Sequence, residues 1–150
     1  MKKNLEEIIK EELGYLFTQF NFIKTDYSYD PKMFGNEGLR LSNGKTMISF
    51  TKDRDQIFVH FGHSGIPRSK WYNLSIILKA KGISGFQAYH LVSDKGAEVG
   101  LEEQATYLSE IIQKYCGDLL SNNWEIESKI FLAKKERADE VIKELTKIKK

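Results

Sequence analysis

The sequence predicts an α+β fold: an antiparallel β-meander of about four strands packed with an N-terminal helix, a short middle helix and two long C-terminal helices. Three features lead there. Apolar residues recur at spacings of three and four near the start and again after residue 101, the mark of helices with one buried face. Residues 22–62 instead alternate with a period of two, as half-buried strands do. The turns that interrupt this alternation are short, which favours antiparallel neighbours. At 150 residues one core suffices, so residues 1–150 read as a single α+β domain.

The opening run places Leu5, Ile8, Ile9, Leu13, Leu16, Phe17 and Phe20 on one helical face. Asn4 is its N-cap, and Glu7 is spaced to reach back to the Asn4 backbone N–H and complete a capping box. From Phe22 onward, Ile23, Thr25, Tyr27 and Tyr29 alternate with Lys24, Asp26, Ser28 and Asp30, so the first set is expected on the buried side of a strand. Pro31 to Gly38 reads as a loop. Leu39 and Leu41 lead to Asn43-Gly44, a pair that tolerates positive φ and so marks a hairpin tip, with Met47 to Lys52 returning. Asp53-Arg54-Asp55 is the next turn, and Ile57, Val59 and Phe61 form the strand that ends at Gly62.

Trp71 to Lys81 carries Trp71, Leu74, Ile77 and Leu78 at helical spacing and stops at Gly82, which suits the left-handed position that closes a helix. Residues 83–100 mix Phe86, Tyr89, Leu91 and Val92 with glycines and read as a loop with one irregular strand. A long helix then has Leu101, Ala105, Leu108, Ile111, Ile112, Tyr115 and Leu119 inward. A last helix from about Trp124 has Ala138, Val141, Ile142, Leu145 and Ile148 on its apolar side.

Hydrophobic residues make up 41% and charged residues 29% of the chain, too apolar for disorder and without the pattern of collagen or a coiled coil. Cys116 is the single cysteine, which excludes an intrachain disulfide and a thiol cluster for metal and points to the cytoplasm. Met1-Lys2-Lys3-Asn4-Leu5-Glu6-Glu7 runs straight into acids, so neither a secretory leader nor a membrane span is expected. The net charge of +2 is unevenly spread: residues 31–90 hold nine Lys or Arg against three acids, and residues 91–123 two against six.

Residues with catalytic chemistry are scattered. His60 and His63 are three apart, which puts their rings on opposite faces of a regular strand, although a bend at Gly62 would bring them together with Asp53 or Asp55 as a carboxylate, and His90 stands alone. No metal or other cofactor is expected from this set. Cys116 sits on a helix just before Gly117, where a cysteine is usually a small core residue. Gly62-His63-Ser64-Gly65 lacks the Lys and Ser/Thr of a phosphate-binding loop. Asp53 and Asp55 flank Arg54 in a tight turn, where Asp bonds nearby backbone N–H groups. Glu102 and Glu103 fall in the first turn of a helix, where acids offset its positive end. The basic middle, with Arg40, Lys45, Lys52, Arg54, Arg68 and Lys70 among Phe50, Phe58, Trp71 and Tyr72, offers an alternative: a nucleic-acid-binding or small hydrolytic protein using this His-containing segment.

From Phe22 to Lys79 the chain resembles small bacterial cytosolic immunity proteins of polymorphic toxin systems. The matching residues are Phe34-Gly35-Asn36, Asp53-Arg54-Asp55-Gln56 and Trp71, with Asp55 where such proteins often have Gly. The resemblance covers less than half of the chain and leaves out the C-terminal helices. It implies a non-enzymatic protein that binds a cognate toxin or effector domain and blocks it. Toxins that cut nucleic acid tend to be basic, so the expected contact is the acidic stretch Asp94, Glu98, Glu102, Glu103 and Glu110, in which Glu103 and Glu110 share one side of a helix.

Overall fold

In the computed structural model, which describes residues 3–83 and 100–148, the strands form one antiparallel sheet in the order β1-β2-β3-β4-β5, each beside its sequence neighbour. They are β1 (Ile23–Asp30), β2 (Asn36–Ser42), β3 (Thr46–Asp53), β4 (Gln56–His63) and the two-residue β5 (Tyr72–Asn73). The helices are α1 (Leu5–Glu12), α2 (Tyr15–Thr18), α3 (Leu74–Ala80), α4 (Leu101–Tyr115), α5 (Gly117–Leu120) and α6 (Glu127–Ile148). This is the α+β meander the sequence predicts, with one short strand added. Of the loop and irregular strand expected over residues 83–100, all but Ile83 and Gly100 lie outside the described residues.

One face of the sheet carries the core. Leu39, Leu41, Ile48, Phe50, Ile57, Val59 and Phe61 are fully buried together with Leu5 and Ile9 of α1 and Ala105, Leu108 and Ile112 of α4. The alternate residues, among them Arg40, Ser49, Thr51, Phe58 and His60, project from the other face by strand alternation. Asn43-Gly44 is at a hairpin tip: Gly44 has φ +104°, and Asn43 Oδ1 accepts from the Thr46 N–H at 3.1 Å.

Several boundaries differ from the sequence reading. The Asn4–Glu7 capping box forms, but α1 stops at Glu12 rather than running to Phe20, because Leu13 leaves helical geometry before Gly14 and the chain resumes as the single turn α2. β2 begins at Asn36, inside the expected loop. Trp71 does not open a helix. It ends a 3₁₀ turn (Arg68–Lys70) and leads into β5, and α3 starts at Leu74, where Asn73 caps through its side chain to the Ser75 N–H at 2.8 Å. Gly82, at φ +79°, follows its end as predicted. The helix expected from Leu101 to Leu119 is broken at Cys116, just before Gly117, into α4 and α5.

Two expectations about burial are corrected. β1 is a strand, but seven of its eight residues are exposed. Lys24 pairs with Leu41 and Asp26 with Arg40, so Thr25 is a bulge outside the register, its hydroxyl donating to the Arg40 carbonyl at 3.3 Å. The extra residue puts Ile23 on the opposite face from Tyr27, and as an edge residue it is 66% exposed. In α6, Ile130 and Ala133 are buried, but Val141, Ile142 and Leu145 are more than half exposed and Ala138 is exposed as well. The cause is length: α6 has 22 residues against seven in α3, the helix it packs on, so its apolar side outlasts its support. No helix among the described residues is long and apolar enough to cross a membrane.

Candidate functional site

α4 is held to the sheet by its inner side. Gln104 Oε1 accepts from the Ile57 N–H at 3.0 Å and its Nε2 donates to the Asp55 carbonyl at 2.6 Å, so the amide spans the β3–β4 turn. With that side fixed, Glu102, Glu103 and Glu110 project into solvent. Asp94 and Glu98, the other acids expected at the contact, lie outside the described residues.

The structure adds acids that the sequence reading left out. Lys3 Nζ is 2.6 Å from Glu11 of α1 and 4.0 Å from Glu102, while the Thr106 hydroxyl donates to Glu12 Oε2 at 2.8 Å. These contacts lay α1 alongside α4. Tyr15 tightens the same junction by donating to the Ser109 carbonyl at 2.8 Å, and burial pushes its phenol pKa up to about 12. Glu7, Glu11 and Glu12 thereby join Glu102, Glu103 and Glu110 along two neighbouring helices, with Lys10 and Lys114 as bases on these helices and Lys3 just before α1. The i, i+4 spacing of Glu7 and Glu11 was legible. The packing that makes them neighbours of α4 was not.

The histidines separate as strand alternation requires. His63 Nδ1 accepts from the Gly65 N–H at 3.0 Å, so its other nitrogen, Nε2, carries the hydrogen that faces Glu127 Oε2 at 2.7 Å. Both ring nitrogens are occupied, which leaves no free position for proton transfer to a substrate. Tyr72 donates to the same carboxylate oxygen at 3.0 Å, and burial first, with Glu127 second, raises its pKa to about 12. His60 lies on the opposite face of the sheet. Burial, aided by Lys134, holds its pKa below the ordinary value.

Cys116 is fully buried, and burial pushes its thiol up to about 12, so it packs and does not react. Asp53 belongs to a turn cluster. Asn36 Oδ1 accepts from the Arg54 N–H at 2.7 Å, Asn36 Nδ2 donates to Asp53 at 3.3 Å, and the Arg54 guanidinium lies 4.4 Å from the centre of the Phe34 ring. The Phe34-Gly35-Asn36 and Asp53-Arg54-Asp55-Gln56 segments are thus in contact. Among the described residues no three His, Cys, Asp or Glu side chains converge as a metal site would need.

No protein-family model matches this chain, and neither a curated protein nor a solved structure matches it.

Proposed function

We propose that the protein is a non-enzymatic, protein-binding module of the immunity type, which neutralises a cognate toxin or effector domain in the bacterial cytoplasm by stoichiometric binding. The observation that carries this reading is the paired α1/α4 surface. Six exposed or half-exposed acids from two helices lie on it, and the inner sides of both helices are fixed in the core, so the surface is presented rigidly. A rigid surface on which acids outnumber bases raises the association rate and the selectivity for a basic partner. The occupied nitrogens of His63 and the buried thiol of Cys116 fit a binding role better than a catalytic one.

Charge reversal tests it. Glu103→Lys with Glu110→Lys touches only exposed positions, so stability should stay within about 0.5 kcal/mol of the parent. Against the product of the neighbouring reading frame, the double variant should associate more slowly and with a weaker dependence on salt. Unchanged binding at both low and high ionic strength would remove this surface from the contact. Absence of any protein partner, together with nucleic-acid affinity in the parent, would favour the basic middle segment instead.

A further inference from the structure

The sheet face turned away from α1 and α4 carries a cleft that the proposed protein contact does not use. Ser49 and Thr51 stand two apart on β3, and His60 is the direct cross-strand partner of Ser49. With Arg68 and Trp71 they line a cavity of about 200 Å³. The indole of Trp71 is laid on the sheet at Gly62, where a Cβ would come within 2.3 Å of its ring atoms. His60 and Trp71 also wall a second cavity of about 420 Å³, to which α6 contributes Lys134 and Arg137 and α3 contributes Ile76. The two cavities therefore share a wall.

The chemistry of the lining has one sign. Arg68, Lys134 and Arg137 supply three cations, and no Asp or Glu lines either cavity. Elsewhere cations such as Lys52 and Lys81 are paired with acids, but none of these three has a carboxylate within ion-pair distance among the described residues. Lys134 instead faces the Lys70 carbonyl at 3.5 Å and the Tyr72 ring at 5.5 Å. Ser49 is only 4% exposed although it sits on the outer face. Its hydroxyl, the Thr51 hydroxyl and the His60 ring have no side-chain hydrogen-bond partner among the described residues. Neutral donors beside unpaired guanidinium groups are what a phosphate oxygen requires.

We propose that this cleft binds a small organic phosphate, with the phosphate held by Arg68 and the hydroxyls of Ser49 and Thr51, and the organic part in the larger cavity beside Ile76, Lys134 and Arg137. The combined space falls in the range of small-molecule sites. The bipartite lining separates this ligand from a bare anion, because the larger cavity adds an apolar side chain and two further cations to the phosphate seat.

The test is calorimetric titration of the purified chain with adenosine monophosphate, inorganic phosphate and a short single-stranded RNA at low ionic strength. Adenosine monophosphate should bind one-to-one and more tightly than inorganic phosphate. Arg68→Ala, a change at an exposed turn position, should weaken both by at least about tenfold. Arg137→Ala should weaken the nucleotide more than the inorganic ion, and Lys45→Ala, on the hairpin away from the cleft, should alter neither. No heat with either phosphate up to about 10 mM overturns the proposal, as does binding unaffected by Arg68→Ala. Tight RNA binding with a steep salt dependence and no loss in Arg68→Ala would likewise overturn it in favour of a nucleic-acid surface. None of these readouts needs the protein partner, so this proposal and the immunity reading fail separately.

Discussion

The carboxylate of Glu37, in β2, accepts a hydrogen bond from the backbone N–H of Leu5, the first residue of α1, at 2.9 Å. Tyr27 donates to the same oxygen, and Lys52 Nζ reaches the other at 3.3 Å. Glu37 is buried, and it supplies the negative charge that the positive end of α1 favours, across 32 residues of sequence. Removing it as Glu37→Ala leaves Lys52 nearly buried without its acid and the Leu5 N–H unsatisfied. The expected cost is about 3 kcal/mol, read as a lower urea midpoint at an unchanged slope. A loss under about 0.5 kcal/mol would mean that water replaces the carboxylate.

The two tryptophans should respond oppositely to the same substitution. Trp124 Nε1 donates to Thr46 Oγ1 at 2.9 Å, and Thr46 passes its own hydrogen to the Leu119 carbonyl at 2.7 Å, joining β3 to α5 and the segment before α6. Trp71 Nε1 is buried with no partner among the described residues. Trp124→Phe should therefore cost about 1–3 kcal/mol, while Trp71→Phe removes an unsatisfied donor and should be near neutral or stabilising. Equal losses in thermal unfolding would refute the distinction.

Cys116 should resist thiol reagents in the native state. It is fully buried and its pKa stands at about 12, so little thiolate exists at pH 8 and no reagent reaches it. Labelling should proceed only through unfolding, at a rate that rises with added urea. Rapid stoichiometric labelling of the native chain would show that the α4–α5 break opens locally.

Acid should weaken the fold partly through His60. Burial, and secondarily the Lys134 charge, lower its folded pKa from 6.5, so the unfolded chain takes up a proton more readily. Its contribution is present above the unfolded pKa and is lost as pH falls through the folded one. Lys134, Arg137 and Arg68 are the charged side chains that line the cavities His60 walls. His60→Gln should accordingly flatten the fall in stability between about pH 7 and pH 5. An unaltered slope would assign that loss to the carboxylates.

The sequence by itself determined what depends on neighbours along the chain. The Asn4–Glu7 capping box, the Asn43-Gly44 tip, the left-handed Gly82 and the period-two runs of β2 to β4 are each set within a few residues, and each stands where the pattern placed it. Only the tertiary structure decided what depends on distant partners. The Thr25 bulge follows from how β1 pairs with β2, and it reversed the face of Ile23. The exposure of Leu145 follows from the shortness of α3, which no periodicity within α6 reports. The union of Glu12 with α4, the burial of Glu37 beneath α1 and the placing of Arg68 and Ser49 on the walls of one cavity all bring together residues far apart in the chain. Local hydrogen bonding and side-chain period fix conformation, whereas burial and charge compensation are properties of what packs alongside, and packing is settled only when the chain folds back on itself.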